Sequence, residues 1–288
     1  MNESLKGKSV LITGSTDGLG KLIAQHFAMH DAIVLLHGRN KEKGKSVTGE
    51  LQRLTQNDKI KYYNGDFSSF KEVKDLSQNI LKENDHIDFL INNVGIGKGL
   101  PNQNKRELSK EGIELRFAVN YLSHVLLTEN LLPLLKSKTS VIINVASIGQ
   151  EPLNFDNLML ERNYDGFFAY RQSKAALIMY TYDLAERLYD KGIKVNVVHP
   201  ASLMNTKMVL EEWGYSLTKV EQGAEAVENL LFPNSTGAYY EGKILSRSIA
   251  QTYDQDVRAM LRELTWSYLK NYIPQGITDI KKDFQNTH

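Results

Sequence analysis

The sequence predicts an α/β fold: a doubly wound parallel sheet of seven strands with helices on both faces. Short β-branched runs alternate with longer stretches of helical periodicity, which is typical of strands joined by crossover helices. Several of the runs, such as VLIT and VIINV, are apolar almost throughout, as strands buried on both faces are. No linker rich in proline, glycine or serine divides the 288 residues, so we expect a single domain over residues 1–288.

The predicted elements follow one another at the spacing that crossover helices require. The strand candidates are Ser9–Thr13, Ala32–His37, Lys59–Asn64, Ile87–Asn92, Ser140–Val145, Lys194–His199 and Tyr239–Leu245. Apolar residues recur at helical spacing after the first strand, and two longer helical stretches cover Phe117–Lys136 and Tyr170–Asp190. A further helix is expected over about 254–272, followed by a polar tail.

Composition excludes several classes of function. The chain has 35 basic and 34 acidic residues, so its net charge of +1 gives no reason to expect nucleic acid or an anionic membrane as partner. The absence of cysteine excludes disulfides, thiolate metal sites and cysteine nucleophiles. We expect no membrane span, because no apolar run is long enough, and no secretory signal is apparent at the start. The expected location is cytoplasmic.

A glycine-rich turn, Thr13–Gly20 (TGSTDGLG), lies between the first strand and an amphipathic helix. Its glycines permit a tight turn and let the backbone approach a pyrophosphate, whose charge is favoured at a helix N-terminus. The spacing TGxxxGxG differs from GxGxxG, and many such turns only join a strand to a helix. The position of this turn, after an apolar strand and before a helix, favours a Rossmann-like dinucleotide site.

The end of the second strand predicts which dinucleotide binds. NAD-specific sites usually place an acidic residue there for the ribose 2′-hydroxyl, but residues 37–41 read HGRNK. Arg39 can form paired hydrogen bonds to a 2′-phosphate, and Lys41 adds positive charge nearby. The alternative is that Arg39 is an ordinary basic residue at the start of a solvated helix. We therefore predict NADP(H) as cofactor.

Tyr170 and Lys174 lie four residues apart in YRQSK, so on a helix they share one face. A free tyrosine, with a pKa of ~10, is a poor base near neutral pH. A fixed ammonium beside it favours the phenolate, as would a positively charged nicotinamide. Tyrosine and lysine are common on helices, so this pair alone predicts little, and its interpretation depends on the other motifs.

Those motifs occur in a characteristic order: TGSTDGLG, the stretch Asn92–Gly95 (NNVG) closing the fourth strand, Asn120 in a long helix, Ser147 after the fifth strand, and YRQSK. This ordered set resembles the short-chain dehydrogenase/reductase family. It is most similar to the NADP(H)-preferring branch that includes retinol-dehydrogenase-like enzymes and bacterial oxidoreductases. The resemblance covers about residues 8–245.

The resemblance implies four catalytic residues. Tyr170 is implied to be the acid/base, and Lys174 to bind the nicotinamide ribose and lower the tyrosine pKa. Ser147 is implied to hydrogen-bond the substrate oxygen, and Asn120 to hold a water that relays the proton. The cofactor-binding residues predicted by the motifs and the resemblance together are Gly14, Ser15, Thr16, Gly18, Leu19, Gly20, Arg39, Asn40, Asp66, Phe67, Asn93, Val94, Gly95, Tyr170, Lys174, Pro200, Ala201 and Thr206.

The sequence departs from the family's pattern at a few positions. Val94 and Ala146 stand where alanine and serine are usual, Ala201 replaces a glycine, and Thr206 lies one residue late. These departures concern the loops on the nicotinamide side, and none removes a catalytic group.

The sequence contains partial patterns of two other kinds of site. His26 and His30 have a spacing that can hold a metal, but no third ligand is apparent, so no metal is expected. Ser147, Asp183 and His199 contain the residue types of a hydrolase triad, but the GxSxG turn that exposes a nucleophilic serine is missing.

The substrate pocket is expected between Leu153–Phe168 and Ser202–Tyr215, two stretches rich in Met and aromatic residues. They favour an apolar carbonyl or alcohol substrate, although half or more of these side chains could simply pack onto the domain. The predicted function is NADP(H)-dependent oxidoreduction. The alternatives are a non-catalytic NADP(H)-binding sensor or scaffold and, less favoured, a sugar-nucleotide epimerase. A homodimer or homotetramer could form through the two long helices, Phe117–Lys136 and Tyr170–Asp190.

Overall fold

The computed structural model describes residues 5–100 and 105–273. Their strands form one sheet in the order β3-β2-β1-β4-β5-β6-β7-β8. The strands are β1 (Ser9–Ile12), β2 (Ile33–Gly38), β3 (Ile60–Asn64), β4 (Phe89–Asn92), β5 (Val141–Val145), β6 (Lys194–His199), β7 (Ala238–Glu241) and β8 (Ile244–Ser246). The chain moves outward from β1 to β3 and then returns to β4 beside β1. This reversal opens a crevice at the carboxyl ends of β1 and β4, where such sheets bind ligands.

The predicted doubly wound sheet is confirmed, but its last strand differs from the expectation. Tyr239–Leu245 was expected to be one parallel strand and instead forms a hairpin, in which β8 runs antiparallel to β7 and Glu241 pairs with Ile244. The two-residue turn between them contains Gly242 with φ of +58°. A tight hairpin turn needs such a positive φ, which glycine adopts without strain. The sheet therefore has eight strands.

Helices cover both faces of the sheet. They are α1 (Gly18–Met29), α2 (Lys41–Thr55), α3 (Phe70–Glu83), α4 (Leu115–Phe117), α5 (Ser123–Leu131), α6 (Gly166–Arg187), α7 (Lys207–Trp213), α8 (Val220–Glu228) and α9 (Gln255–Leu269). Successive strand residues point to opposite faces. Val10 and Val34 pack in the core under α1, α2 and α8, whereas Leu11 and Leu35 pack in the core under α3, α5, α6 and α9.

The helix expected over Phe117–Lys136 is interrupted. Between α4 and α5, residues Ala118–Leu122 form a π-helical turn, and Leu132–Leu134 form a 3₁₀ turn after α5. Pro133 lies in that 3₁₀ turn and has no N–H to donate, so a continuous helix is disfavoured there. Single π turns within helices are frequent at functional sites, and this one contains Asn120.

The C-terminal helix α9 packs against α6 and the π turn. Arg258 and Arg262 lie 3.1 and 2.9 Å from the Asp183 carboxylate of α6, and Tyr121 hydrogen-bonds Thr265 at 2.6 Å. Part of the helical surface expected to join subunits is therefore covered by the same chain. The polar tail expected after residue 272 lies outside the described residues, apart from Ile273.

Candidate active site

The glycine-rich turn Thr13–Gly20 lies at the crevice and begins α1. A Cβ atom added to Gly20 would lie 2.4 Å from the Gly14 carbonyl oxygen and 2.6 Å from the Asn93 side-chain nitrogen. No side chain fits at this position, so glycine is required for α1 to start this close to β1. The turn thereby presents backbone at a helix N-terminus, as anion binding requires.

His37, at the end of β2, holds the turn in place and was not among the residues predicted from the sequence. Its Nδ1 accepts a hydrogen bond from the Gly14 amide at 3.2 Å, and its Nε2 donates to the Gly65 carbonyl at 3.0 Å. Burial lowers the pKa of His37 to about 4, so the ring is neutral and can accept and donate at the same time. The signal in the sequence that could have identified His37 is a histidine near the end of an otherwise apolar strand.

Three predicted cofactor residues use their side chains to pack the turn. Ser15 is buried, and its hydroxyl accepts a hydrogen bond from the His37 amide at 2.9 Å. Thr16 packs against Gly38, where an added Cβ would lie 2.8 Å from the threonine Cγ2. Leu19 is buried in the core under α1. These residues can therefore meet a nucleotide chiefly through their main chain.

Arg39 and Asn40 follow β2 at the surface. Asn40 caps α2, since its Oδ1 accepts a hydrogen bond from the Lys43 amide at 2.9 Å. Arg39 is exposed, and no residue in the described ranges forms an ion pair with it. The structure thus leaves this guanidinium available to an anionic ligand, while the Asn40 side chain already serves the helix.

Asp66 and Phe67 lie beyond β3. Asp66 is half-buried, and its Oδ1 accepts a hydrogen bond from the Ser68 amide at 2.9 Å. The Phe67 ring is buried between the rings of His37 and His124, with centroid distances of 4.9 and 5.2 Å. The predicted contact of Phe67 with the cofactor could therefore come only from its main chain.

The NNVG stretch after β4 is attached to β1. The Asn93 side chain donates to the Thr13 carbonyl at 2.9 Å, and the Val94 amide donates to the Thr13 hydroxyl at 3.0 Å. The Val94 carbonyl accepts a hydrogen bond from His124 Nε2 at 2.8 Å. Burial lowers the pKa of His124 to about 3, so this ring is a neutral structural donor that the sequence did not reveal.

The segment after β6 returns to the glycine-rich turn. Pro200 is buried and Ala201 is half-buried where the strand ends. Thr206 caps α7 by accepting a hydrogen bond from the Val209 amide at 3.4 Å. Its methyl group would lie 3.3 Å from a Cβ added to Gly18. The predicted nicotinamide-side and pyrophosphate-side residues therefore line the same crevice.

The four predicted catalytic residues come together from three elements. Ser147 follows β5, Tyr170 and Lys174 lie one turn apart on α6, and Asn120 lies in the π turn. The Ser147 side chain is close enough to the Tyr170 hydroxyl to lower the pKa of the tyrosine. The Lys174 Nζ lies 5.8 Å from the Tyr170 ring centroid and donates to the Val145 carbonyl at 3.0 Å.

Asn120 fixes the loop that follows β4. Its Oδ1 accepts a hydrogen bond from the Ile96 amide at 2.8 Å, and its Nδ2 donates to the Ile96 carbonyl at 3.0 Å. The same Nδ2 donates to the Ser173 hydroxyl on α6 at 3.0 Å. Both amide hydrogens of Asn120 are thus used, and the side chain joins β4 to the helix that carries Tyr170.

Burial dominates the electrostatics of the site. It raises the pKa of Tyr170, although the Ser147 hydrogen bond lowers it, and the nearby Glu212 carboxylate raises it further. The net pKa of Tyr170 in the protein alone is therefore raised, and the lowering of this pKa by Lys174 stays a prediction. Burial outweighs an ammonium that is hydrogen-bonded elsewhere. Burial also lowers the pKa of Lys174 to about 8.

The Lys174 shift predicts a pH dependence of stability. Its pKa falls from 10.5 to about 8 on folding, so between those values the unfolded chain binds more protons and stability rises with pH. We expect the unfolding free energy of the wild type, relative to Lys174→Met, to rise by about 3 kcal/mol from pH 7 to pH 10.5. Urea unfolding of both proteins at several pH values measures this difference. A constant difference would contradict the buried ammonium.

The alternative hydrolase triad is not assembled. Asp183 is ion-paired with two arginines of α9, and His199 Nε2 is 3.0 Å from the Ser202 hydroxyl. His26 lies 3.3 Å from a Glu228 oxygen. Within the described parts of the chain, no group of three or more His, Cys, Asp or Glu side chains could hold a metal ion.

The predicted substrate pocket is only partly formed by the residues named for it. Leu153, Leu158 and Leu160 are 4–5% exposed and belong to the buried core, so they do not line a pocket. Phe167 and Met208 are each 39% exposed, and Phe167 contacts Trp213 edge to face at 5.9 Å. Phe167 lies three residues before Tyr170 on α6, and its contact with Trp213 forms an apolar wall between α6 and α7. No helix in residues 5–100 or 105–273 has both the length and the apolar composition to cross a bilayer.

Comparison with known proteins identifies a family and several relatives of this chain. Residues 8–213 match the short chain dehydrogenase family. Human retinol dehydrogenase 11 is 36% identical over 204 residues, which are 70% of this chain and 63% of that protein. The chain spans less than two thirds of the length of the curated relatives that it matches first.

Solved structures show the same fold. A short chain dehydrogenase of Shigella flexneri, complexed with NADP, has a TM-score of 0.68 and 23% identity, covering 85% of this chain and 100% of its own. The 3-ketoacyl-(acyl-carrier-protein) reductase of Brucella melitensis, complexed with NADH, has a TM-score of 0.66 and 26% identity, covering 83% and 100%. Because the family match extends over most of the chain and includes the glycine-rich turn and the Tyr170–Lys174 pair, this protein belongs to the short-chain dehydrogenase/reductase family.

Proposed function

We propose that this protein is an NADP(H)-dependent oxidoreductase that interconverts a carbonyl group and an alcohol, with Tyr170 as the proton donor and acceptor. The observation that carries the proposal is the convergence of Tyr170, Ser147 and Lys174 beside the crevice that the glycine-rich turn lines. Membership of the family supports the redox class, and the geometry supports the roles of the residues.

The crevice fits a dinucleotide with a 2′-phosphate. The turn Thr13–Gly20 leads backbone amides into the start of α1, and Gly20 has no room for a side chain that would push them away. These amides would hold the pyrophosphate. Arg39 would bind the 2′-phosphate, because it is exposed at the end of β2. When bound, NADPH supplies the hydride that reduces the carbonyl carbon.

Residues of the chain would bind the carbonyl oxygen of the substrate and transfer the proton to it. In reduction, the Ser147 hydroxyl donates a hydrogen bond to the carbonyl oxygen as negative charge develops there. Tyr170 transfers its phenolic proton to the same oxygen, giving the alcohol and a phenolate. The Lys174 ammonium, one turn along α6, stabilises this phenolate. Oxidation of an alcohol reverses these steps.

Apolar side chains of α6 and α7 near the crevice support an apolar substrate. Phe167, Met208 and Trp213 present exposed or half-buried apolar surface there. Human retinol dehydrogenase 11, by its name, acts on the alcohol retinol. A screen of aldehydes, ketones and alcohols with NADPH or NADP⁺ tests this proposal. Oxidation or reduction of apolar compounds is expected, whereas cofactor binding without any turnover would favour a non-catalytic sensor or scaffold.

Cofactor choice is tested by Arg39→Asp. We expect NADPH affinity to fall roughly 10–100-fold and NADH affinity to change little. Only NADPH has a 2′-phosphate, so only NADPH would lose charge-assisted hydrogen bonds to Arg39. Fluorescence titration of both cofactors measures the two constants. Arg53→Asp, an exposed change at the other end of α2, is the matched control. Equal losses for NADPH and NADH would refute the assigned role of Arg39.

A further inference from the structure

The Arg116 guanidinium binds the main-chain carbonyl groups of a short loop that follows β4. This loop, Gly97-Lys98-Gly99, is here called the 97–99 loop. The Arg116 Nε donates to the Gly97 carbonyl at 2.8 Å, and its Nη2 donates to the Lys98 carbonyl at 3.0 Å. Arg116 is buried and is itself ion-paired with the buried Glu114 at 3.4 Å. One side of the loop is thus fixed to the body of the protein.

The other side of the 97–99 loop is bound by Glu212, near the end of α7. One Glu212 carboxylate oxygen accepts a hydrogen bond from the Lys98 amide, and the other accepts from the Gly99 amide, each at 3.1 Å. Two successive backbone amides form a concave anion site, and this carboxylate occupies it in a bidentate manner. Glu212 is only 9% exposed, so the interaction is little screened by solvent.

The loop has the shape that this carboxylate requires. A Cβ atom added to Gly97 would lie 2.1 and 2.3 Å from the two Glu212 carboxylate oxygens. Every residue other than glycine would therefore displace the carboxylate. Next to it, the Lys98 ammonium lies 3.6 Å from the centroid of the Trp213 ring. Two consecutive residues of α7 are thus attached to the same loop.

These contacts make α7 a bridge across the crevice. Its first turn is capped by Thr206, which packs against Gly18 of the glycine-rich turn. Its last turn reaches the loop that Asn120 joins to the helix carrying Tyr170. The Glu212 carboxylate is close enough to Tyr170 to act on its hydroxyl electrostatically. The end of α7 is therefore attached to the segment that Asn120 holds beside α6.

We propose that Glu212 is a positioning residue that fixes α7 as the substrate-side wall of the active site, and that Gly97 is required to admit its carboxylate. The proposal rests on the proposed function in that the wall encloses a carbonyl or alcohol. Without the carboxylate, α7 keeps its Thr206 end, and its Trp213 end leaves the 97–99 loop. Substrate binding is then weakened more than cofactor binding.

The test uses Trp213 as reporter. The chain has two tryptophans, so Trp266→Phe leaves Trp213 as the single tryptophan, whose emission can be excited selectively over that of tyrosine. In that background we compare Glu212→Gln, Gly97→Ala and the control Glu211→Gln, an exposed neighbour that pairs with Lys207 at 3.7 Å on the same helix. Acrylamide quenching of Trp213 should increase in the first two variants and stay unchanged in the control. Gly97→Ala keeps the glutamate at position 212 and changes only the space for its carboxylate, so it tests the fit of the loop separately.

Kinetics then test the positioning role. With a substrate from the screen, we expect Glu212→Gln and Gly97→Ala to raise KM roughly tenfold, while kcat and NADPH affinity change less. Unchanged quenching in both variants would overturn the proposal, whatever the activity. Increased quenching with an unchanged KM would show a structural contact without a positioning role. If the wild type turns over no substrate, the proposed function fails, and the quenching result still decides whether Glu212 holds α7.

Discussion

Replacement of Tyr170 by phenylalanine is expected to lower turnover by about 10²–10⁴-fold, the contribution typical of a positioned acid or base. The change removes one hydroxyl and keeps the ring, so the packing of α6 should be preserved. The Ser147 side chain acts on the Tyr170 hydroxyl, and the Lys174 ammonium lies 5.8 Å from the Tyr170 ring centroid. Steady-state rates with a substrate from the screen measure the loss.

Cofactor binding is the companion measurement for Tyr170→Phe. NADPH affinity should remain within a few-fold of the wild type, because the glycine-rich turn and Arg39 are untouched. The control is Tyr189→Phe, which removes a hydroxyl from a residue that is 68% exposed just beyond α6. Tyr189→Phe should leave turnover unchanged. Undiminished turnover in Tyr170→Phe would end the assignment of the proton donor.

Replacement of Arg187 by methionine is expected to destabilise the protein by about 3–5 kcal/mol. Arg187 donates a hydrogen bond to the Glu129 carboxylate, which is 1% exposed, and Tyr180 donates to the same oxygen at 2.9 Å. Without the arginine, a buried carboxylate keeps only one neutral donor. Urea unfolding followed by circular dichroism at pH 7 measures the change in free energy.

A double variant separates the charge effect from the loss of packing. Glu129→Gln combined with Arg187→Met removes both charges and keeps similar volumes, so it should be considerably more stable than Arg187→Met alone. The difference between the two variants reports the cost of the unpaired carboxylate. If the single and double variants have the same stability, the ion pair is not what makes Arg187 important.

The sheet was predictable from the sequence except at its edge. Apolar runs such as VIINV identify buried strands, because a parallel sheet covered on both faces leaves no position for polar alternation. The run Tyr239–Leu245 was mistaken for one strand because its flanks are apolar. Gly242 in its middle was the available signal of a turn, since a glycine inside a strand pattern often marks a break.

The site was predictable where its chemistry is local in sequence. The glycine-rich turn and the Tyr170–Lys174 pair are short motifs, and their residues lie together in the structure. Glu212 and His37 could not be found in this way, because their partners are main-chain groups, which carry no sequence signature. The Lys98 amide is 114 residues from Glu212 in the chain. Helical spacing likewise reveals a neighbouring charge but not burial, which is the largest cause of the raised pKa of Tyr170.

The C-terminal helix α9 supports the elements that carry two of the predicted catalytic positions, Asn120 and Tyr170. Residues Gln255–Leu269 lie beyond the 8–213 stretch that the family match covers, yet they pack under Tyr121, the neighbour of Asn120, and neutralise Asp183 on α6. Removing them would admit water beneath the π turn and α6 and leave the Asp183 carboxylate without its counter-ions. A chimaera that joins residues 8–213 to the C-terminal part of another protein would therefore need cationic side chains in place of Arg258 and Arg262.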